Sequence, residues 1–206
     1  MPVFSYHTIQ FPTQGLFKDK GSKFLAFAYP VTTEAEVKAK IDSVKKEYFD
    51  ARHHCFAWTL GAEQKNYRAF DDGEPNHSAG DPIHGQIKSR NLTNVLVIVV
   101  RYFGGIKLGI GGLINAYRQA AEDALNKALI IESDVTETIE LTYTYGATPE
   151  IMRLIKELNL VILAQKFETD CVLILQFKLR DKEALIKKLD FHRAMKNQVA
   201  FKIQNP

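Results

Sequence analysis

The chain has 206 residues and a mass of 23.4 kDa, with 46% hydrophobic, 25% charged and 11% aromatic residues. That is the composition of a packed globular protein, and it excludes a disordered chain, a collagen-like fibre and a low-complexity array. Against 24 Asp and Glu stand 27 Lys and Arg, a net charge of +3. This is too mild to mark a polyanion binder globally, so any such site must come from local clustering.

Cys55 and Cys171 lack CxxC spacing, which points to reduced thiols in a cytoplasm and away from a disulfide framework or a structural zinc site. The opening MPVFSYHTIQF has no basic and apolar regions of a signal peptide. Val95–Val100, the longest aliphatic run, is far short of a membrane span. The expectation is a soluble cytoplasmic protein with no membrane contact.

In chain order, Lys23–Val31 alternates loosely and predicts a strand. Thr33 and Glu36 make a capping box ahead of a helix whose Val37, Ile41, Val44 and Tyr48 recur at three-and-four spacing. His53–Leu60 predicts a second strand. Asn94–Phe103 predicts a third, and its unbroken Val/Leu/Ile core implies burial on both faces. A glycine-rich stretch leads to a helix from Leu113 to Ala128, with Leu113, Ala116, Tyr117, Ala120, Ala121, Ala124 and Leu125 as its inner stripe.

Glu137–Tyr145 then predicts a strand, and Thr148-Pro149-Glu150 an N-cap with proline in the first turn. Ile151, Leu154, Ile155 and Leu158 form the stripe of that helix. Leu160–Phe167 and Cys171–Leu179 are strands around a Glu168-Thr169-Asp170 turn. Asp181 caps a helix bearing Ala184, Leu185 and Leu189, and Val199–Ile203 closes a βαββαβ order. The reading is an α+β protein of two domains, 1–132 and 137–206, the second ferredoxin-like, with a linker at Ile131–Thr136.

Charge is uneven inside the first domain. Pro82–Ala121, forty residues, holds Lys88, Arg90, Arg101, Lys107 and Arg118 and no Asp or Glu. Gly104, Gly105, Gly109, Gly111 and Gly112 crowd the same region, between a strand and a helix start. Bare amides at such a place can hold an anion, helped by the helix dipole, although the spacing is neither GxxxxGK[ST] nor GxGxxG. The anion-binding set is therefore Arg101, Gly104, Gly105, Lys107, Gly109, Gly111, Gly112 and Arg118.

The other dense polar stretch is Asp71 to Gly80, with Asp71, Asp72, Glu74, His77 and Ser78, and His84 beyond it. These residue types could supply an acid/base pair or a metal site, yet HExxH, EF-hand and GxSxG spacings are absent. Asp-Gly and Glu-Pro also form turns, and the acids could cap a helix starting near Pro82-Ile83. Neither a catalytic residue nor a cofactor is assigned, and the metal question stays open. Cys55, beside His53 and His54 on a strand, reads as a packed thiol, as do Cys171 and Trp58 as core.

DDGEPNHSAGDPI followed by NVLVIVVRYFGGIKLGIGGLINAYRQA, with SKF at Ser22–Phe24 and DARHHCFAW at Asp50–Trp58, resembles the Impact/YigZ family over residues 18 to 128. The resemblance implies a first domain like the second domain of ribosomal protein S-five. It also implies a second domain like the last domain of elongation factor G. Asn76-His77-Ser78 stand where the family carries Gly-Thr, and Asn115 where it carries arginine. The expected function is binding of RNA or of a ribosome- or translation-associated protein, with a role in regulating translation. A hydrolase using Asp71, Asp72, Glu74 and His77, and a protein-interaction module, are the alternatives.

Overall fold

The computed structural model describes residues 2–194 and 199–204. Its contacts divide the chain into two units, Ser5–Ser133 and the chain from Asp134 onward. Both are mixed α/β assemblies built on antiparallel sheets.

The first unit runs β1 (Ser5–Ile9), β2 (Thr13–Asp19), β3 (Ser22–Pro30), α1 (Glu34–Glu47), β4 (His53–Leu60), β5 (Asn66–Phe70), α2 (Gly80–Ser89), β6 (Val95–Tyr102), α3 (Gly109–Asn126) and β7 (Ile130–Asp134). Five strands form one sheet in the order β2-β3-β6-β4-β5, and β1 pairs separately with β7. On one face α2 and α3 bury Val95, Val97 and Val99 of β6 together with Phe24, Cys55 and Tyr117. On the other, α1 covers Leu96, Ile98 and Val100 with Phe56 and Trp58. The unbroken aliphatic run thus follows from helices on both faces of an antiparallel sheet. All seven residues expected on the α3 stripe are buried.

Some expectations are corrected locally. Thr33 caps α1 as expected, its hydroxyl accepting from Glu36 N at 3.2 Å, while the Glu36 carboxylate accepts most closely from Thr32 N at 2.7 Å. Ile131–Thr136, expected as a linker, is almost wholly strand: β7 ends at Asp134 and the next strand begins at Thr136. β7 pairs with β1, a strand with no clear period in the sequence. Helix α3 starts at Gly109, four residues before Leu113, the first apolar periodic position. Glycine's poor helix propensity hid the first turn.

The second unit runs β8 (Thr136–Tyr143), α4 (Thr148–Glu157), β9 (Val161–Phe167), β10 (Cys171–Lys178), α5 (Lys182–Ala194) and β11 (Val199–Gln204), a β-α-β-β-α-β order. Its sheet is ordered β11-β8-β10-β9. Cys171, Leu173, Leu175 and Phe177 alternate onto the helix-covered face, where Ile151, Leu154, Leu185 and Leu189 meet them. Thr148 is the first residue of α4 and not its cap, because a short 3₁₀ turn, Tyr145–Ala147, precedes it. Val135 N donates to Phe4 O at 2.9 Å, which ties the start of the chain through Phe4 to this unit.

Candidate functional site

The Asp71–Gly80 segment links β5 to α2, and its acids turn inward. Asp71 Oδ1 accepts from Ala79 N at 2.9 Å and Gly80 N at 2.8 Å, while Oδ2 accepts from His77 N at 2.9 Å. One carboxylate therefore satisfies the amides of Ala79 and Gly80, the cap and first residue of α2, which carries no cap from the Ala79 side chain itself. Asp72, at a left-handed φ of 44°, accepts from His54 N at 2.7 Å through Oδ2, and its carbonyl accepts from His53 Nδ1 at 2.8 Å. Ser78 is fully buried and donates to Pro75 O at 2.6 Å. Of the five candidate side chains, His77 alone is exposed, its Nδ1 2.7 Å from Asp81 Oδ2.

Glu74 goes deepest. Its Oε1 accepts from Arg101 NH1 at 2.6 Å and from Tyr117 OH at 2.7 Å, joining the segment to β6 and α3. Glu74 and Arg101 are each 8% exposed, so this is a buried ion pair. Cys55 Sγ donates to Asp71 O at 2.9 Å and lies 3.4 Å from Tyr117 OH. Burial pushes the Cys55 thiol and the Tyr117 phenol up, so both are protonated at neutral pH. The acids of the alternative hydrolase reading are individually committed: Asp71 to amides, Asp72 to β4, Glu74 to Arg101. His84 lies apart, stacked on Tyr67 with ring centroids 4.5 Å apart. Among the described residues no group of three His, Cys, Asp or Glu is arranged to hold a metal ion.

Arg101, expected on an anion-binding surface, faces inward instead. Its place on β6 opposite Phe24 directs it to the α3 side of the sheet, where Glu74 takes the charge. The remaining residues of that expected set stay at or near the surface. Gly104 packs on the β2–β3 turn: its N–H donates to Ser22 Oγ at 3.1 Å, and a Cβ there would stand 1.9 Å from Gly21 C. No side chain larger than hydrogen fits. Gly105 and Gly109 have φ of 90° and 73°, which suits glycine. Gly109, Gly111 and Gly112 form the first turn of α3 and not a loop before it. That turn has no side-chain cap and no acid. Lys107 and Arg118 are exposed, and Arg118 NH2 donates to Asn115 Oδ1 at 2.8 Å.

Three cations at this place escaped the sequence reading. Lys18, Lys20 and Lys23 surround the β2–β3 turn against which Gly104 packs, and all are exposed. Lys18 stands directly opposite Lys23, and Lys23 opposite Tyr102. Like charges in register are unfavourable. Among the described residues, none of Lys18, Lys20, Lys23, Lys107 and Arg118 has a carboxylate oxygen within 4.0 Å. The tract Lys18-Asp19-Lys20-Gly21-Ser22-Lys23 was the available signal, diluted by its aspartate. Exposed apolar side chains accompany the cations: Phe103 is 49% exposed, with Ile106 and Ile110 beyond it.

Fold and site together define a mixed α/β protein of two antiparallel-sheet units, with a buried acid–arginine pair beneath an uncapped, glycine-rich helix start. No helix among the described residues is long and apolar enough to cross a membrane. Residues 20–125 match the Impact N-terminal domain. The chain belongs to the Impact family. It is 32% identical over 173 residues to an IMPACT family member of Haemophilus influenzae, a match covering 82% of this chain and 84% of that protein. With the IMPACT family member YvyE of Bacillus subtilis it shares 34% identity over 143 residues, 69% of this chain and 66% of that one. A crystal structure of a hypothetical protein superimposes with a TM-score of 0.77 at 26% identity, covering 99% of both chains.

Proposed function

We propose that the first unit binds RNA through phosphate contacts on the β2–β3 turn and the start of α3, and that the protein acts in this way on the translation machinery. The carrying observation is five exposed cations that have no carboxylate partner among the described residues: Lys18, Lys20 and Lys23 about the β2–β3 turn on which Gly104 packs, and Lys107 and Arg118 before and along α3, whose start is uncapped. Helix amides and lysines hold phosphate without reading sequence, so affinity would be general. Arg101 takes no part, because Glu74 neutralises it internally. The βαββαβ order of the second unit is compatible with the elongation-factor likeness that the family implies.

The test is binding of a fluorescent single-stranded RNA of about twelve nucleotides across a salt series. Each neutralised phosphate contributes about −0.7 to the slope of log affinity against log salt, so four such contacts give roughly −3. Lys18→Glu/Lys107→Glu is expected to abolish most of that slope while the protein stays folded, since both side chains are exposed. Absence of binding by the unaltered chain at low salt would sink the reading.

A further inference from the structure

Phe103 occupies an unusual place for a large apolar side chain. The Arg101 guanidinium carbon lies 5.6 Å from the Phe24 ring centroid and 5.7 Å from the Phe103 ring centroid. Phe24 is wholly buried and meets Tyr117 edge-on at 5.1 Å, whereas Phe103 has half its surface in water. Arg101 therefore connects a core ring to a surface ring, and Glu74 holds Arg101. The chain on either side is also anchored. Tyr102 pairs with Lys23 on β3, and Gly104 packs on Gly21 and Ser22. The ring is an exposed aromatic surface on a fixed support.

Its surroundings define the chemistry that would cover it. Over Pro82–Ala121 the chain carries no Asp or Glu, and exposed Lys107 follows the ring four positions on. A matching partner must bring a flat apolar face and negative charge at short spacing. A nucleotide has both in one unit, and its base can reach the ring only when it is outside a duplex stack.

We propose that Phe103 is a stacking platform for an unpaired base of single-stranded RNA, with a flanking phosphate taken by Lys107. This rests on the RNA reading above and specifies the ligand as single-stranded. A ring already held by a buried ion pair loses little freedom on binding, and stacking on it tolerates any base.

The experiment compares the unaltered chain, Phe103→Ala and Phe103→Trp against three probes at one low salt concentration. The probes are an oligouridylate of about twelve nucleotides, an RNA duplex of the same length, and inorganic polyphosphate. Phe103→Ala should weaken oligouridylate binding about tenfold and leave polyphosphate binding and the salt slope unchanged. Phe103→Trp should restore affinity, and its emission should be quenched by bound oligouridylate; the chain's one tryptophan, Trp58, is buried. Equal oligouridylate binding by the unaltered chain and Phe103→Ala would overturn the platform while leaving the phosphate surface standing. So would an unquenched, folded Phe103→Trp that binds RNA, or equal weakening of all three probes. Failure of the unaltered chain to bind either RNA probe would overturn the RNA reading itself.

Discussion

Helices α2 and α3 both follow glycine-bearing motif segments, yet their N-termini are finished in opposite ways. The start of α2 is closed by Asp71, whose carboxylate accepts from Ala79, Gly80 and His77. The start of α3 receives no side chain, holds no acid in its first turn and is flanked by exposed Lys107. A helix start with its amides already bonded has nothing left for a ligand, while an open one keeps its partial positive charge. The difference teaches which half of the family signature is scaffold. The acidic half shapes the interior, and the glycine-lysine half shapes the surface.

The sharpest way to break this comparison is at Glu74, the one acid that links the two halves. Glu74→Ala leaves Arg101 buried without a counter-charge, and the expected loss is about 3–5 kcal/mol in chemical denaturation. A loss under about 1 kcal/mol would mean that Arg101 can reach water and that the inner and outer halves are not distinct. Asp71→Ala comes next. It uncaps α2, and a destabilisation of about 2 kcal/mol is expected by the same measurement, with RNA affinity unchanged.

A smaller effect comes from pH. Burial holds the His54 imidazole below its ordinary value even though Tyr48 O accepts from its Nε2 at 3.0 Å, and burial likewise lowers His84. Both are neutral in the folded protein at pH 7. Because the unfolded chain takes up protons first, stability should fall as pH drops below about 6.5 towards the folded values. Denaturation midpoints at about pH 7.5 and about pH 5.5 test this, and His54→Asn should flatten the slope between them. The smallest expected effect sharpens the comparison from the other side. Ile110→Glu places an acid in the first turn of α3, where the native residue is exposed. It should stabilise the protein by about 0.5 kcal/mol in thermal unfolding and weaken RNA binding, giving α3 part of what Asp71 gives α2.

Much of the fold was legible. β6 announced its burial on both faces through six consecutive aliphatic residues, and α3 announced its inner stripe through seven positions that all prove buried. Strands β1, β2, β5 and β7 were not legible. In β5, Asn66, Tyr67 and Arg68 are all exposed, so no alternation marks the strand. The candidate site was legible in part. Its glycines and Lys107 stand out in the sequence by clustering, but charge counted along a chain carries no inward or outward sense, so it does not reveal that Arg101 faces inward. Lys18, Lys20 and Lys23 were overlooked because Asp19 hides their excess.

By itself the sequence determined the elements whose signals are local: period, caps, turn residues and the family signature. Each of those is set by neighbours within one or two turns of chain, where propensity and burial act directly. Only the tertiary structure decided that Glu74 would meet Arg101, 27 positions on, and Tyr117, 43 positions on. It also decided that Ser22 would hold Gly104, 82 positions away, and so seat the glycine segment on the β2–β3 turn. These meetings depend on strand order and register, which place residues distant in sequence at hydrogen-bond range and leave no periodic trace in either partner.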